Sequence, residues 1–175
     1  MAVLGALSVV PMTGYALREQ IRDTLGHFWS ESFGQIYPTL AELERQELVE
    51  RQSPEDSRST PYSITEAGLA RLRDLLSEPP QTPKPRSGLM LRLFFGAQLE
   101  PEVRRRLVAD ARSQAEGQLA EMASARAELS KDSRLAPNAA YILLTISAGE
   151  HAARATIAWA DEALAELARL ETATP

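Results

Sequence analysis

Between Ser32 and Thr65 the chain changes its hydrophobic period once, and that switch limits the folds open to it more than any other feature. Ser32 with Gln35 three residues on reads as a capping box, and Ile36, Leu40 and Leu43 then recur at the spacing of one buried helical face. Gln35, Tyr37, Thr39 and Glu42 are left on the outward side. Beyond Leu48 the pattern becomes that of half-buried strands, over Val49 to Gln52 and again over Tyr62 to Thr65, joined by Ser53 to Pro61, rich in Ser, Pro and Asp. A helix followed by a two-stranded ribbon is the order of a winged helix-turn-helix. Such a unit places its exposed helix face in a DNA major groove and its ribbon tip along the backbone or minor groove.

The flanking residues supply the remaining helices. Val3, Leu4, Leu7 and Val10 predict a short first helix ending near Pro11. Thr13 caps a second, from Gly14 to Leu25, with Leu17, Ile21 and Leu25 on one face and Gly26 as its stop. Phe28 and Trp29 form an aromatic pair expected to pack between helices. Thr65 caps a fourth helix, with Glu66 at its positive end and Leu69, Leu72 and Leu76 turned inward. Pro38 leaves two readings open. Either it kinks a helix that starts at Ser32, or the helix starts later and Pro38 lies in its first turn, where a missing N–H costs little.

Four prolines between Glu78 and Gly88 mark a stiff linker, so residues 1–78 are expected to be the winged domain, 79–88 the linker and 89–175 a second, helical domain. Leu89 to Leu99, with Phe94 and Phe95, predicts a short buried helix. Pro101 suits a first helical position, and helical character then runs to about Ser130 and again from about Pro137 to Leu170. Helices of roughly 45 to 50 Å at about 1.5 Å per residue exceed what this domain needs to cover its own core. The last one is apolar on more than one face. Tyr141, Leu144, Ala155 and Trp159 belong to that surplus, which predicts a coiled-coil-like homodimer, while Glu150, His151, Arg154 and Asp161 interrupt it before membrane-spanning length. The fold class expected is mainly α with a small β-ribbon: a winged helix-turn-helix followed by a long-helix dimerisation domain.

Composition narrows the chemistry. The chain has 175 residues and no cysteine, which removes disulfides, thiolate metal sites and cysteine nucleophiles and suits a reducing cytosol. Its two histidines, His27 and His151, belong to no nucleophile or metal-ligand motif, and no Gly-rich phosphate loop follows a strand. No catalytic residue, metal or cofactor is expected, and no membrane partner. Seventeen arginines against two lysines, with abundant alanine, fit a bacterial gene of high GC content. Charge opposes a DNA partner, because residues 1–78 hold seven arginines and twelve carboxylates. Placement favours one: Arg18 and Arg22 share a helix face, and Arg45, Arg51 and Arg58 fall on the recognition helix and wing. A local basic patch, doubled by dimerisation, is the expected source of affinity.

Three motifs resemble the PadR family of bacterial transcription regulators: Leu4-Gly5-Ala6-Leu7-Ser8 with Met12-Thr13-Gly14-Tyr15-Ala16-Leu17; Gly34-Gln35-Ile36-Tyr37-Pro38-Thr39-Leu40 with Leu43-Glu44; and Tyr62-Ser63-Ile64-Thr65-Glu66-Ala67-Gly68. Leu89-Met90-Leu91-Arg92-Leu93-Phe94-Phe95-Gly96 looks like the opening of the virulence-activator-like C-terminal domain of one branch. The resemblance implies a homodimer with interlocked C-terminal helices on double-stranded DNA, repressing in most members and activating in some, with small aromatic effectors in several. It further implies that Tyr15 touches a phosphate, that Ser32 caps and contacts phosphate, that Gln35, Tyr37, Pro38 and Thr39 face the groove, and that the wing reaches backbone.

Two departures stand out. The wing carries Arg58 beside Glu55 and Asp56, where relatives are basic, and Glu47 occupies the position that relatives give to Gly at the end of the recognition helix. A small aromatic effector has candidate contacts in Phe28, Trp29, Phe94, Phe95, Tyr141 and Trp159, whose alternative role is core packing. The acidic first half keeps open a second function, a winged-helix module for protein partners without DNA binding.

Overall fold

Thr13 caps the second helix of the chain: its side chain accepts from the Ala16 amide at 3.1 Å and starts that helix at Gly14. The structure, a computed structural model, describes residues 1–22, 35–52, 60–80, 86–129, 131 and 133–173. These form two compact units, Met1–Gln81 and Thr82–Pro175. Among the described residues no helix is long and apolar enough to cross a membrane.

The first unit runs α1 (Ala2–Leu7), α2 (Gly14–Gln20), α3 (Ile36–Arg45), β1 (Val49–Arg51), β2 (Tyr62–Ile64) and α4 (Glu66–Ser77). The strands pair antiparallel with Val49 opposite Ile64 and Arg51 opposite Tyr62, each one residue shorter than the alternation predicts. The loop before α2 extends this ribbon: Met12 and Tyr62 exchange both backbone bonds, at 3.2 and 2.9 Å, a link with no signature in the sequence. Val3, Leu4, Leu7, Leu17, Ile21, Ile36, Leu40, Val49 and Leu72 close over one another as the core. Each fully buried aliphatic side chain here contributes roughly 1.5 to 3 kcal/mol.

Several expectations are corrected. Helix α1 ends at Leu7, and Val10 lies beyond it, only half-buried. Helix α3 begins at Ile36 with Gln35 in the cap position and no side-chain cap bond, so Pro38 is the third helical residue; the expected capping box depends on Ser32, outside the described residues. The missing N–H of Pro38 falls among those that an α-helix leaves unbonded, so no kink is required. Leu76 is 65% exposed, and Leu75 packs on the core instead, because Gly68, Leu72 and Leu75 form the inward stripe of α4. The expected end of α2 at Leu25 and Gly26, the Phe28–Trp29 pair, Ser32 and Arg58 lie outside the described residues.

In the second unit Ser87 caps α5 (Gly88–Phe94), a short 3-10 turn follows at Gly96–Gln98, and α6 (Pro101–Leu129) starts with its proline in the first position. A second 3-10 segment, Ser133–Asn138, absorbs Pro137 before α7 (Ala139–Ala173). Helices α6 and α7 form an antiparallel hairpin. Its seam is Val108, Ala115 and Met122 on one helix and Ile146, Ala153 and Ala160 on the other, both spaced by seven. Ion pairs tie the edges: Arg105 to Glu171, Arg112 to Asp161 at 2.7 Å, and Arg126 to Glu150 at 3.0 Å.

The expected buried helix at Leu89 to Leu99 is not buried in this chain. Helix α5 has no buried residue, and Phe94 and Phe95, stacked edge to face, are 82% and 58% exposed. Tyr141 and Leu144 are likewise exposed, so core packing within the chain is not the role of Phe94, Phe95 or Tyr141; Trp159 is half-buried. Apolar character records that a residue gains from cover, and the hairpin seam accounts for only one face of α7.

Candidate nucleic-acid interface

Helix α3 is clamped at its C-terminal end. Glu47 adopts φ 57°, the left-handed conformation, with its amide donating to the Glu44 carbonyl and the Leu48 amide to the Leu43 carbonyl, both at 2.9 Å. These are the two bonds of a Schellman motif, built on a residue whose β-carbon penalises it. Thr65 locks the cap from the far side of the ribbon. Its hydroxyl donates to the Glu47 carbonyl at 2.8 Å and accepts from the Gly68 amide at 3.0 Å, and its own amide donates to the Leu48 carbonyl at 3.1 Å. One side chain therefore ends α3 and begins α4.

The N-terminal end of α3 rests on α2. A β-carbon on Gly14 would lie 2.7 Å from a ring carbon of Tyr37, so the tyrosine ring covers the first residue of α2 while staying 51% exposed. Tyr15, next in sequence, is 63% exposed. The structure thus brings Tyr15 and Tyr37 to one junction, with Arg18 exposed one turn along α2.

With Ile36, Leu40 and Leu43 inward, the middle of the outward face of α3 is Pro38, Ala41, Glu42 and Arg45; Tyr37 stands on one shoulder, and Gln35 with half-buried Thr39 on the other. Ala41 and Gln46, absent from the expected groove-facing residues, are exposed here too, and the helical period is the signal that places them there. Charge is balanced on this face. Arg45 grips Glu42 with Nε at 2.9 Å and Nη2 at 2.5 Å, and the Gln46 amide donates to the same carboxylate. The Arg45 hydrogen bonds, aided by Gln46, hold the Glu42 carboxyl down at about 2 and push the guanidinium up.

Two more cations of the expected patch, Arg22 and Arg51, are paired as well, and Arg58 lies outside the described residues. Arg22 meets Glu19 at 2.6 Å, and Arg51 meets Glu44 at 3.0 Å with its guanidinium 5.2 Å from the centre of the Tyr62 ring. An uncompensated basic patch is therefore not what these residues present. Such pairs add little to stability at a surface, yet they decide what an approaching phosphate meets.

Residues 3–74 match the model of the transcriptional regulator PadR-like family, and residues 85–168 that of the virulence activator alpha C-terminal domain. Among curated proteins, 98 residues are 28% identical to the negative transcriptional regulator PadR of Bacillus subtilis (strain 168), a match spanning 54% of this chain and 54% of that protein, about half its length. Solved structures share the fold over nearly the whole chain. A PadR-like transcriptional regulator of Bacillus cereus is 22% identical with a TM-score of 0.80, covering 95% of this chain and 96% of that one. Bacillus subtilis PadR in complex with operator DNA is 22% identical with a TM-score of 0.78 over 95% of each chain; the same protein has been solved with p-coumaric acid. The Vibrio cholerae virulence activator AphA is 27% identical with a TM-score of 0.72, covering 96% of each chain.

Proposed function

We propose that this chain, which belongs to the PadR-like family of transcriptional regulators and carries the virulence-activator type of C-terminal domain, binds a palindromic or near-palindromic operator as a homodimer in the cytoplasm. The observation that carries this reading is the presentation of α3: an exposed polar face held at one end by the Glu47 cap and Thr65, and at the other by Tyr37 over Gly14. In this reading residues 1–78 are the DNA-binding domain, 79–88 the linker and 89–175 the dimerisation domain. Gln35, Tyr37, Pro38, Thr39 and Arg45 face the groove, while Tyr15, Arg18, Ser32 and Arg58 hold phosphates. Nothing in this role calls for catalysis.

Dimerisation through the second unit follows from its uncovered apolar side. Tyr141 and Leu144, exposed Ala155 and half-buried Trp159 lie on α7, and Phe94 and Phe95 at the C-terminal end of α5, all without cover from the hairpin seam. The relative in Bacillus subtilis is a negative regulator. Repression is accordingly the sign we assign, with a small aromatic effector, of the kind that p-coumaric acid represents for that relative, contacting Phe94, Phe95, Tyr141 or Trp159.

An electrophoretic shift on DNA upstream of the chain's own gene tests the reading. Salt-sensitive binding that survives excess random DNA supports it. The arginine pairs favour a second reading, a winged-helix module for protein partners, and the absence of any shift at low salt would select that one instead.

A further inference from the structure

A carboxylate in the middle of the outward face of α3 is out of place on a surface meant to meet phosphates, unless it discriminates. Glu42 and Arg45 are both exposed, one turn apart, and joined by two hydrogen bonds, with Gln46 holding the carboxylate from the other side. On a random duplex the base edges at the pair's position seldom complement it, and what is left for it to contact are phosphate oxygens. To reach one, Arg45 must leave Glu42 and bring an unpaired negative charge close to the backbone, so the gain in one contact is offset by repulsion in the next. A major groove offers more. Cytosine presents an amino donor and guanine two acceptors at its edge, so a carboxylate and a guanidinium inserted together both find partners there.

Resting on the operator-binding role proposed above, we infer that Glu42 is a specificity-determining residue: it restrains Arg45 on random DNA and, at the operator, accepts from a cytosine amino group while Arg45 donates to a guanine. The acidic balance of the first unit then serves selectivity, and the cations are released only where the base edges replace their carboxylate partners. Charge repulsion built into a binding face is a general route to discrimination.

The test uses the full-length protein, with duplexes selected by it from a random-sequence library and a random duplex of equal length, in anisotropy titrations across a salt series. Glu42→Ala is expected to bind random duplex about three- to tenfold more tightly, with a salt slope steeper by about one phosphate, and to lose about tenfold or more in the ratio of selected to random affinity. Reselection with the variant should lose a cytosine preference at one position of each half-site. Glu42→Gln, which keeps an acceptor oxygen and loses the charge, should gain random affinity yet retain part of that preference. Glu42 is exposed, and circular dichroism with thermal melting confirms that each variant is folded. An unchanged ratio and an unchanged selected sequence for Glu42→Ala would overturn the inference while leaving operator binding intact. If the parent protein selects no sequence at all, the operator-binding role itself fails, and this inference with it.

Discussion

A β-carbon placed on Gly68 would lie 2.0 Å from the carbonyl oxygen of Leu48, so the first turn of α4 is pressed against the backbone that leaves the recognition helix. Neither partner can yield cheaply, because the Leu48 carbonyl is also bonded to the Thr65 amide. Gly68→Ala is therefore expected to destabilise the first unit by about 3 kcal/mol through forced backbone displacement. Denaturant melting checks this, and a loss below half of that would mean the two segments separate without difficulty.

Glu47 bears the opposite kind of strain. At φ 57° its side chain pays a steric penalty that glycine avoids, and that penalty exceeds the extra freedom glycine has in the unfolded chain. Glu47→Gly should raise stability by about 0.5 to 1 kcal/mol. Thermal melting at matched concentration measures it, and a lower midpoint would refute the left-handed cap.

Thr65 joins the two ends, donating to Glu47 and accepting from Gly68. Thr65→Ala should cost about 1 to 2 kcal/mol, with Thr65→Ser restoring most of it, since the hydroxyl rather than the methyl makes both bonds. Melting curves of the two variants side by side decide between hydroxyl and packing roles.

The Glu42 carboxyl should titrate near 2 rather than at its ordinary 4.5, held down chiefly by the Arg45 hydrogen bonds and then by Gln46. Because its folded value is depressed, whatever the pair adds to stability is present above about 4.5 and is lost as pH falls toward 2. Carbon-detected NMR of the side-chain carboxyl follows this directly. In Arg45→Ala the midpoint should return toward the ordinary value, and a parent midpoint already there would show that the pair does not form.

Two substitutions on α7 separate the seam from the uncovered face. Ala160 is fully buried between the helices, so Ala160→Glu should unfold the hairpin by stranding a charge. Leu144 is 68% exposed, so Leu144→Asp should leave helicity intact while shifting sedimentation from dimer to monomer. A Leu144→Asp protein that remains dimeric would remove this part of α7 from the interface.

Local information was enough wherever one residue acts on its near neighbours. Thr13 and Thr65 as caps, the inward faces of α2 and α3 and the period change at the ribbon all depend on residues within a turn or two, where spacing and backbone sterics operate, whereas the strain at Glu47 was legible through the family resemblance, which puts Gly at that position. What lay beyond reach were relations between distant segments. Met12 pairing with Tyr62, Gly68 against Leu48 and Tyr37 over Gly14 are close approaches that leave no periodic trace, and only the folded chain brings them together. The same holds for cover and charge. Apolarity at Phe94, Phe95 and Tyr141 could be read from the sequence, but whether this chain or another buries them is a property of packing. Arginine positions could be read as well, yet Arg51 finds Glu44 only because the ribbon folds back along α3, and that tertiary step compensates one cation of the expected basic patch.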